Sequence, residues 1–306
     1  MIYAFVATAL FAVSVIAASR SVRLLGSNAA NFWRLLVAAV LLGIWAHLFG
    51  GGFGGGAFGW FFISGIIGFG VGDLALFQAL PRLGPRLSSL MINCLAAPFG
   101  AITEFFWLDT RLSSWQLLGS VVILAGVGLA LAPDTKEAGS AGLAHSRLGG
   151  ILYGVLAGFG QGLGAVISRR AFALAAASGG DVDGGTAAYQ RILGGVSVAF
   201  LFYGISFAHR MLRSQGAREP VRGEAPMRRA VFWVMINALA GPAIGVAFYQ
   251  LALKSTPSGL VLPITATTPL LVVPWTYWLD GDRPSARSMI GAVLAVAGVV
   301  VLVLAR

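Results

Sequence analysis

Charge is what this chain has least of. Asp, Glu, Lys and Arg together make up 10% of its 306 residues, while 58% are hydrophobic; soluble globular domains carry roughly a quarter charged residues. With a mean hydropathy of +0.85, a water-facing surface all round is excluded and an integral membrane protein is expected. Cysteine is nearly absent. The single Cys94 lies within an apolar stretch, which excludes a disulfide framework and a thiolate metal site. Three histidines, His47, His145 and His209, fall in loops or at helix ends, so neither a metal nor another cofactor is expected. No GxxxxGK[ST] loop is present, so ATP is not used directly. A net charge of +10 raises nucleic acid as a partner, but the arginines sit between apolar spans, with no basic helix and no aromatic RNA-reading motif. The first apolar segment, Ile2 to Ala18, lacks a basic residue before its core, and a similar segment recurs at Leu152 to Ser168; it is expected to be a spanning helix rather than a signal peptide.

What fills the chain instead is a succession of apolar runs about as long as the roughly twenty residues a helix needs to cross a bilayer. Ten can be placed, at about 2–19, 29–48, 57–79, 85–107, 114–132, 149–170, 186–208, 230–253, 257–279 and 286–305. The fold class is thus all-α, with ten transmembrane helices. Between the second and third lies the glycine-rich connector GGGFGGGAFG. The polar stretch PDTKEAGSAGLAHSR follows the fifth, and a solvated loop with six arginines, from His209 to Arg229, follows the seventh.

The two halves echo each other. A shift of 171–172 residues lays Phe77-Gln78 on Tyr249-Gln250, Pro85 on Pro257, Asn93 on Thr265, Trp107-Leu108-Asp109 on Trp278-Leu279-Asp280, and Ala125-Gly126-Val127 on Ala297-Gly298-Val299. With shorter shifts, Ser19-Arg20 falls on Ser168-Arg169 and Arg34-Leu35-Leu36 on Arg191-Ile192-Leu193. The chain divides into a first five-helix repeat over 1–133, a linker over 134–148 and a second repeat over 149–306. An odd number of spans per repeat inverts the second copy in the membrane, which is a transporter architecture.

Gly72-Asp73 followed by Phe77-x-Ala79-Leu80, then Gly84, Pro98, the turn from Leu108 to Leu112, Gly119 and Gly126, resemble the drug/metabolite transporter superfamily, specifically its EamA-type ten-helix members. Ala252-Leu253, Pro269, Gly281-Asp282-Arg283-Pro284, Gly291 and Gly298 carry the same pattern in the second half. Where the family has Gly-Glu-Arg after the fourth helix, this chain reads Asp109-Thr110-Arg111. The lysine-bearing motifs of nucleotide-sugar and triose-phosphate carriers are missing. The resemblance implies a non-enzymatic exporter or exchanger of small metabolites, commonly amino acids and their derivatives, in a cell (inner) membrane.

Asp73 stands inside an apolar segment, where an acid costs roughly 2.5–3.5 kcal/mol and is a functional candidate by default. It is either a coupling group for protons or a structural acid paired with an arginine. Glu104 is the second candidate for coupling, or snorkels to the interface. Gly70-Val71-Gly72-Asp73 also spells the GxGD signature of intramembrane aspartyl proteases, whose chemistry needs two carboxylates sharing a site. The other six aspartates lie at helix ends or in loops. The competing classes are therefore such a protease and a non-transporting receptor or scaffold.

Gln78 and Gln250, like Asn93 and Thr265, occupy corresponding places and are candidates for a shared midplane cavity, or for packing between helices. Thr267 and Thr268 join them beside Pro263 and Pro269; with Pro98, these prolines free backbone carbonyls that a cavity or a neighbouring helix must satisfy. Arg20 and Arg169 are candidates to clamp a carboxylate bidentately, whereas Arg34 and Arg191, near span starts, are expected to be interface anchors instead. The expected partners are a small-molecule substrate and the bilayer, with proton coupling possible and the protein a monomer or homodimer. Setting aside five arginines within spans, thirteen basic residues lie on the side of the odd-numbered loops and three on the other. The positive-inside rule then puts both termini outside; the family resemblance implies the reverse.

Overall fold

A computed structural model describes residues 1–108, 113–131, 141–213, 224–256, 258–281 and 284–304, and within these the protein is helical with no strand. The helices are α1 (Ile2–Leu25), α2 (Ser27–Leu48), α3 (Phe58–Gly65), α4 (Asp73–Leu108), α5 (Ser114–Leu131), α6 (Ala141–Ala177), α7 (Gly184–Arg213), α8 (Glu224–Ala238), α9 (Ile244–Ser255), α10 (Ser258–Thr265), α11 (Thr268–Asp280) and α12 (Ala286–Leu304). Two π-helical turns, Ile66–Gly72 and Leu239–Ala243, join α3 to α4 and α8 to α9.

Among the described residues, six segments are long and apolar enough to cross a membrane: Ile2–Leu25, Ser27–Leu48, Phe58–Trp107, Ser146–Ala177, Gly184–His209 and Met227–Ser255. The third is too long for one crossing, since its 50 residues would extend about 75 Å as a straight helix against a hydrocarbon core of about 30 Å. It breaks at Gly84, whose φ of 75° and ψ of 170° are open to glycine and strained for other residues. Pro85 follows at once and cannot continue the hydrogen-bond ladder backwards. Shorter apolar helices cover Leu118–Ala130 and Ala286–Val301. Between α10 and α11 the helix gives way to a turn at Ala266 and Thr267, flanked by Pro269. Most of the expected turn from Leu108 to Leu112, and Pro257 and Asp282-Arg283 of the second half, lie outside the described residues.

Burial reveals the solvent this surface is built for. Asn31, Arg34, Asp73, Ser168, Gln190, Arg191, Asn237 and Gln250 are buried, while Val40, Ile44, Leu201, Ile205, Phe232 and Val293 are exposed. Polar inside and apolar outside is stable only if the surroundings are apolar, as lipid is.

Packing crosses between the halves. α1 lies against α8, α9, α10 and α11, and α6 lies correspondingly against α3, the first π turn and α4. α2 packs on α7 and α5 on α12. Small residues permit the last contact: a Cβ on Gly126 would stand 2.4 Å from the Ala295 backbone nitrogen, and one on Gly298 2.7 Å from that of Ile123. In lipid, helices associate through such backbone proximity rather than through a hydrophobic drive. The resulting core of Leu90, Met91, Leu95, Ile123, Val127, Leu262 and Val299 is apolar, which leaves the polar residues to gather elsewhere, around the first π turn.

Candidate substrate site

The first π turn is built from Ile66-Ile67-Gly68-Phe69-Gly70-Val71-Gly72 and delivers Asp73 as the first residue of α4. A π turn holds one residue more than the α-helical turn it replaces, which rotates everything after it by about 100°. Glycines at and beside it let neighbours approach. A Cβ on Gly65 would overlap the Arg191 carbonyl at 1.7 Å, and one on Gly160 of α6 would stand 2.7 Å from the Gly72 Cα. The second π turn, Leu-Ala-Gly-Pro-Ala, contains Pro242, whose missing N–H removes an α-helical bond and favours the wider winding. The two turns fall on one another under the 172-residue shift.

Around the first turn a charged cluster forms. Arg34 of α2 donates through Nη2 to Asp73 Oδ2 in an ion pair. Its Nε and Nη2 also reach Asn31 Oδ1 at 3.1 and 2.9 Å, and its guanidinium lies 4.5 Å from the Phe77 ring centroid. Arg191 of α7 donates from Nη1 to Gln250 Oε1 at 3.1 Å and sits 5.2 Å from the Phe69 centroid. Gln250 in turn donates to Ser168 Oγ at 3.3 Å; Ser168 and Ser64 share a hydrogen bond at 2.9 Å, and Ser64 donates to the Gly164 carbonyl at 2.7 Å. Arg191 also acts electrostatically on both Asp73 and Tyr249. Helices of both halves meet here: α2, α3 and α4 from one, α6, α7 and α9 from the other.

Arg34 and Arg191 are 4% and 2% exposed. They are interior groups rather than interface anchors: each stands several residues into its helix, Arg34 meeting Asp73 and Phe77 of its own half and Arg191 the Phe69 ring of the other. Sequence position held that signal: both lie more than a turn inside their spans and coincide in the repeat. Arg20 and Arg169 are the pair singled out as a carboxylate clamp. Arg20 donates to the Leu279 carbonyl at 2.8 Å and lies 6.0 Å from the Trp233 centroid, and Arg169 is half-buried on α6.

Of the polar candidates, Gln250 belongs to the cluster. Gln78 sits apart, donating to Asn28 Oδ1 at 2.9 Å and accepting from Arg82. Asn93 donates to the Ser89 carbonyl at 2.9 Å, and Thr265, Thr267 and Thr268 donate to Leu262, Ile264 and Thr265 at 3.0, 2.7 and 2.6 Å. All four thus bond within their own stretch of chain. Pro98 lies buried inside α4 and Pro269 at the start of α11. The side chains of Glu104 and Pro263, in α4 and α10, lie outside those described. Ser64 and Tyr249 were not foreseen as site residues: Ser64 is a single polar residue in an apolar span, and Tyr249 entered the sequence pattern only as the counterpart of Phe77.

At its end nearest Gly51, the bundle is closed by hydrogen bonds to the start of α7. Asp183 accepts from the Thr186 hydroxyl, from the Gly185 and Thr186 N–H groups at 2.8 and 2.9 Å, and from Trp45 Nε1 at 3.4 Å. Asp183 stands just outside the apolar span. Partial burial works to raise its pKa, but the bonds from Thr186, Trp45 and Gly185 outweigh it and hold the carboxyl below its ordinary value.

An apolar-coated helical bundle with an ion cluster at depth is a membrane protein of several spans built to handle polar groups inside lipid. The chain belongs to the EamA-like transporter family, whose model matches residues 1–132 and again 148–304. A solved structure titled only "Crystal structure of protein" shares the fold, with a TM-score of 0.61 at 20% identity over 98% of this chain and 96% of that one. No curated protein matches.

Proposed function

We propose that the protein is a secondary transporter that exports or exchanges a small polar or amphipathic metabolite, such as an amino acid or derivative, across a cell (inner) membrane. Ten crossings in two inverted five-helix repeats would rock about the charged cluster to open it to each side in turn. The observation that carries this reading is the cluster itself: Arg34 and Asp73 from one half meet Arg191 and Gln250 from the other at the π turn. Charges at such depth are expensive and mark pathways in membrane proteins. The crossed packing of α1 on the second half and α6 on the first supports the inverted arrangement.

Asp73 works here as the partner of Arg34. Protonating it would release the guanidinium, so proton coupling would act on the pair rather than on a lone acid. Protein reconstituted in liposomes is expected to accelerate loss of trapped amino acids from a mixture of all twenty, read by mass spectrometry. Loss no faster than from protein-free liposomes would favour a receptor or scaffold. Under an imposed pH gradient, wild type should concentrate the substrate, whereas Arg34→Gln/Asp73→Asn should exchange without concentrating it. A wild type indifferent to the gradient would be a facilitator.

A further inference from the structure

The repeat doubles the buried arginine but not the buried acid. Arg34 and Arg191 correspond, yet the place of Asp73 in the second half is taken by Gly245. Asp73 makes its ion pair with Arg34, so the Arg34, Asp73 and Arg191 triad carries one positive charge in excess. Arginine does not shed its proton in proteins, and a cation at lipid depth demands a counter-charge. Among the described residues, Arg191 has one hydrogen bond, to the neutral Gln250. Its buried Nε has no partner, and neither has the buried hydroxyl of Tyr249, the residue beside Gln250. Tyr249 is 1% exposed and close enough to Arg191 for phenol and guanidinium to act on each other.

We infer that Arg191 and Tyr249 form an anion site that takes the carboxylate of a small-molecule substrate, resting on the transporter reading above. A guanidinium edge matches the two oxygens of a carboxylate, and the phenol hydroxyl supplies one more donor. A single negative charge neutralises the triad, which suits a carboxylate better than a phosphate dianion. Gln250, braced by Ser168 and Ser64, holds Nη1 and turns Nε toward the incoming group. Gly68 and Gly164 make the room for the guanidinium itself, since a Cβ on either would stand 2.8 or 3.3 Å from Arg191 Nη2. The site then discriminates acids from their amides, because an uncharged group leaves the cation uncompensated.

The test uses purified full-length protein in detergent, with sodium benzoate against benzamide and sodium acetate against acetamide as probes at equal ionic strength. The two acids should raise the thermal midpoint with concentration and the amides should not, since a ligand held by the folded state raises its stability. Arg191→Gln should weaken the acid response by roughly tenfold to a hundredfold in concentration; Tyr249→Phe should weaken it less, and Arg191→Lys should keep part of it. Equal responses to acid and amide, no response to either, or an undiminished response in Arg191→Gln or Tyr249→Phe overturns the site. Liposome flux of the same wild-type protein separates the two ideas. Acid-specific stabilisation without flux upholds the site and sinks transport, whereas flux that is equal for acids and amides upholds transport and sinks the site.

Discussion

Arg34 and Asp73 stabilise one another only as a pair. Removing one partner of a buried ion pair leaves an uncompensated charge and typically costs about 3–5 kcal/mol, whereas replacing both with neutral groups is often close to neutral. Asp73→Asn or Arg34→Gln alone should therefore lower the unfolding midpoint in detergent strongly, and the double variant should recover much of the loss. Additive losses would mean that the two are not coupled. Asp183 makes a different kind of contribution, capping the start of α7 with bonds to Gly185 and Thr186. Its folded pKa is depressed, so its stabilisation is complete above the unfolded carboxyl value of roughly 3.9 and fades as pH falls toward the folded one. Asp183→Ala should cost about 1 kcal/mol at neutral pH, and the gap between variant and wild type in thermal melts should close on acidification below about pH 4. A gap independent of pH would contradict this. Sequence alone made Asp73 legible, because an acid in an apolar run stands out. Which arginine it meets was not, since Arg20, Arg34, Arg169 and Arg191 all lie in or near spans and only the fold chooses among them.

At the scale of elements, hydropathy made the long apolar helices legible, six of them long enough to cross a membrane among the described residues, and the gap left between the third and fourth runs holds the break at Gly84. The π turns were not legible, because winding at Ile66–Gly72 and Leu239–Ala243 depends on how closely other helices press. Gly160 is where α6 presses hardest on the first turn, with a Cβ there meeting Gly72 at 2.7 Å. Gly160→Ala should push α6 off the turn and lower both the thermal midpoint and flux. Gly204→Ala on α7, where a Cβ would meet nothing within 4 Å, should leave stability unchanged or raise it by up to about 1 kcal/mol through helix propensity. Equal effects of the two substitutions would remove the packing explanation of the glycines.

At the scale of the whole molecule, the matching halves in sequence become crossed packing, with α1 and α6 each lying on the other half. Basic residues favour the odd-numbered loops thirteen to three, so a cytoplasm-active reporter fused after Arg306 is expected to be silent, with both termini outside; strong activity would reverse the orientation. A single site reached from either side in turn makes a more demanding prediction than flux itself. In liposomes loaded with the labelled amino acid that the protein moves fastest, adding the same unlabelled amino acid outside should accelerate loss of label, because the carrier returns loaded rather than empty. Efflux that ignores the outside concentration, or that is blocked by it, would contradict alternating access about the Arg34, Asp73 and Arg191 cluster.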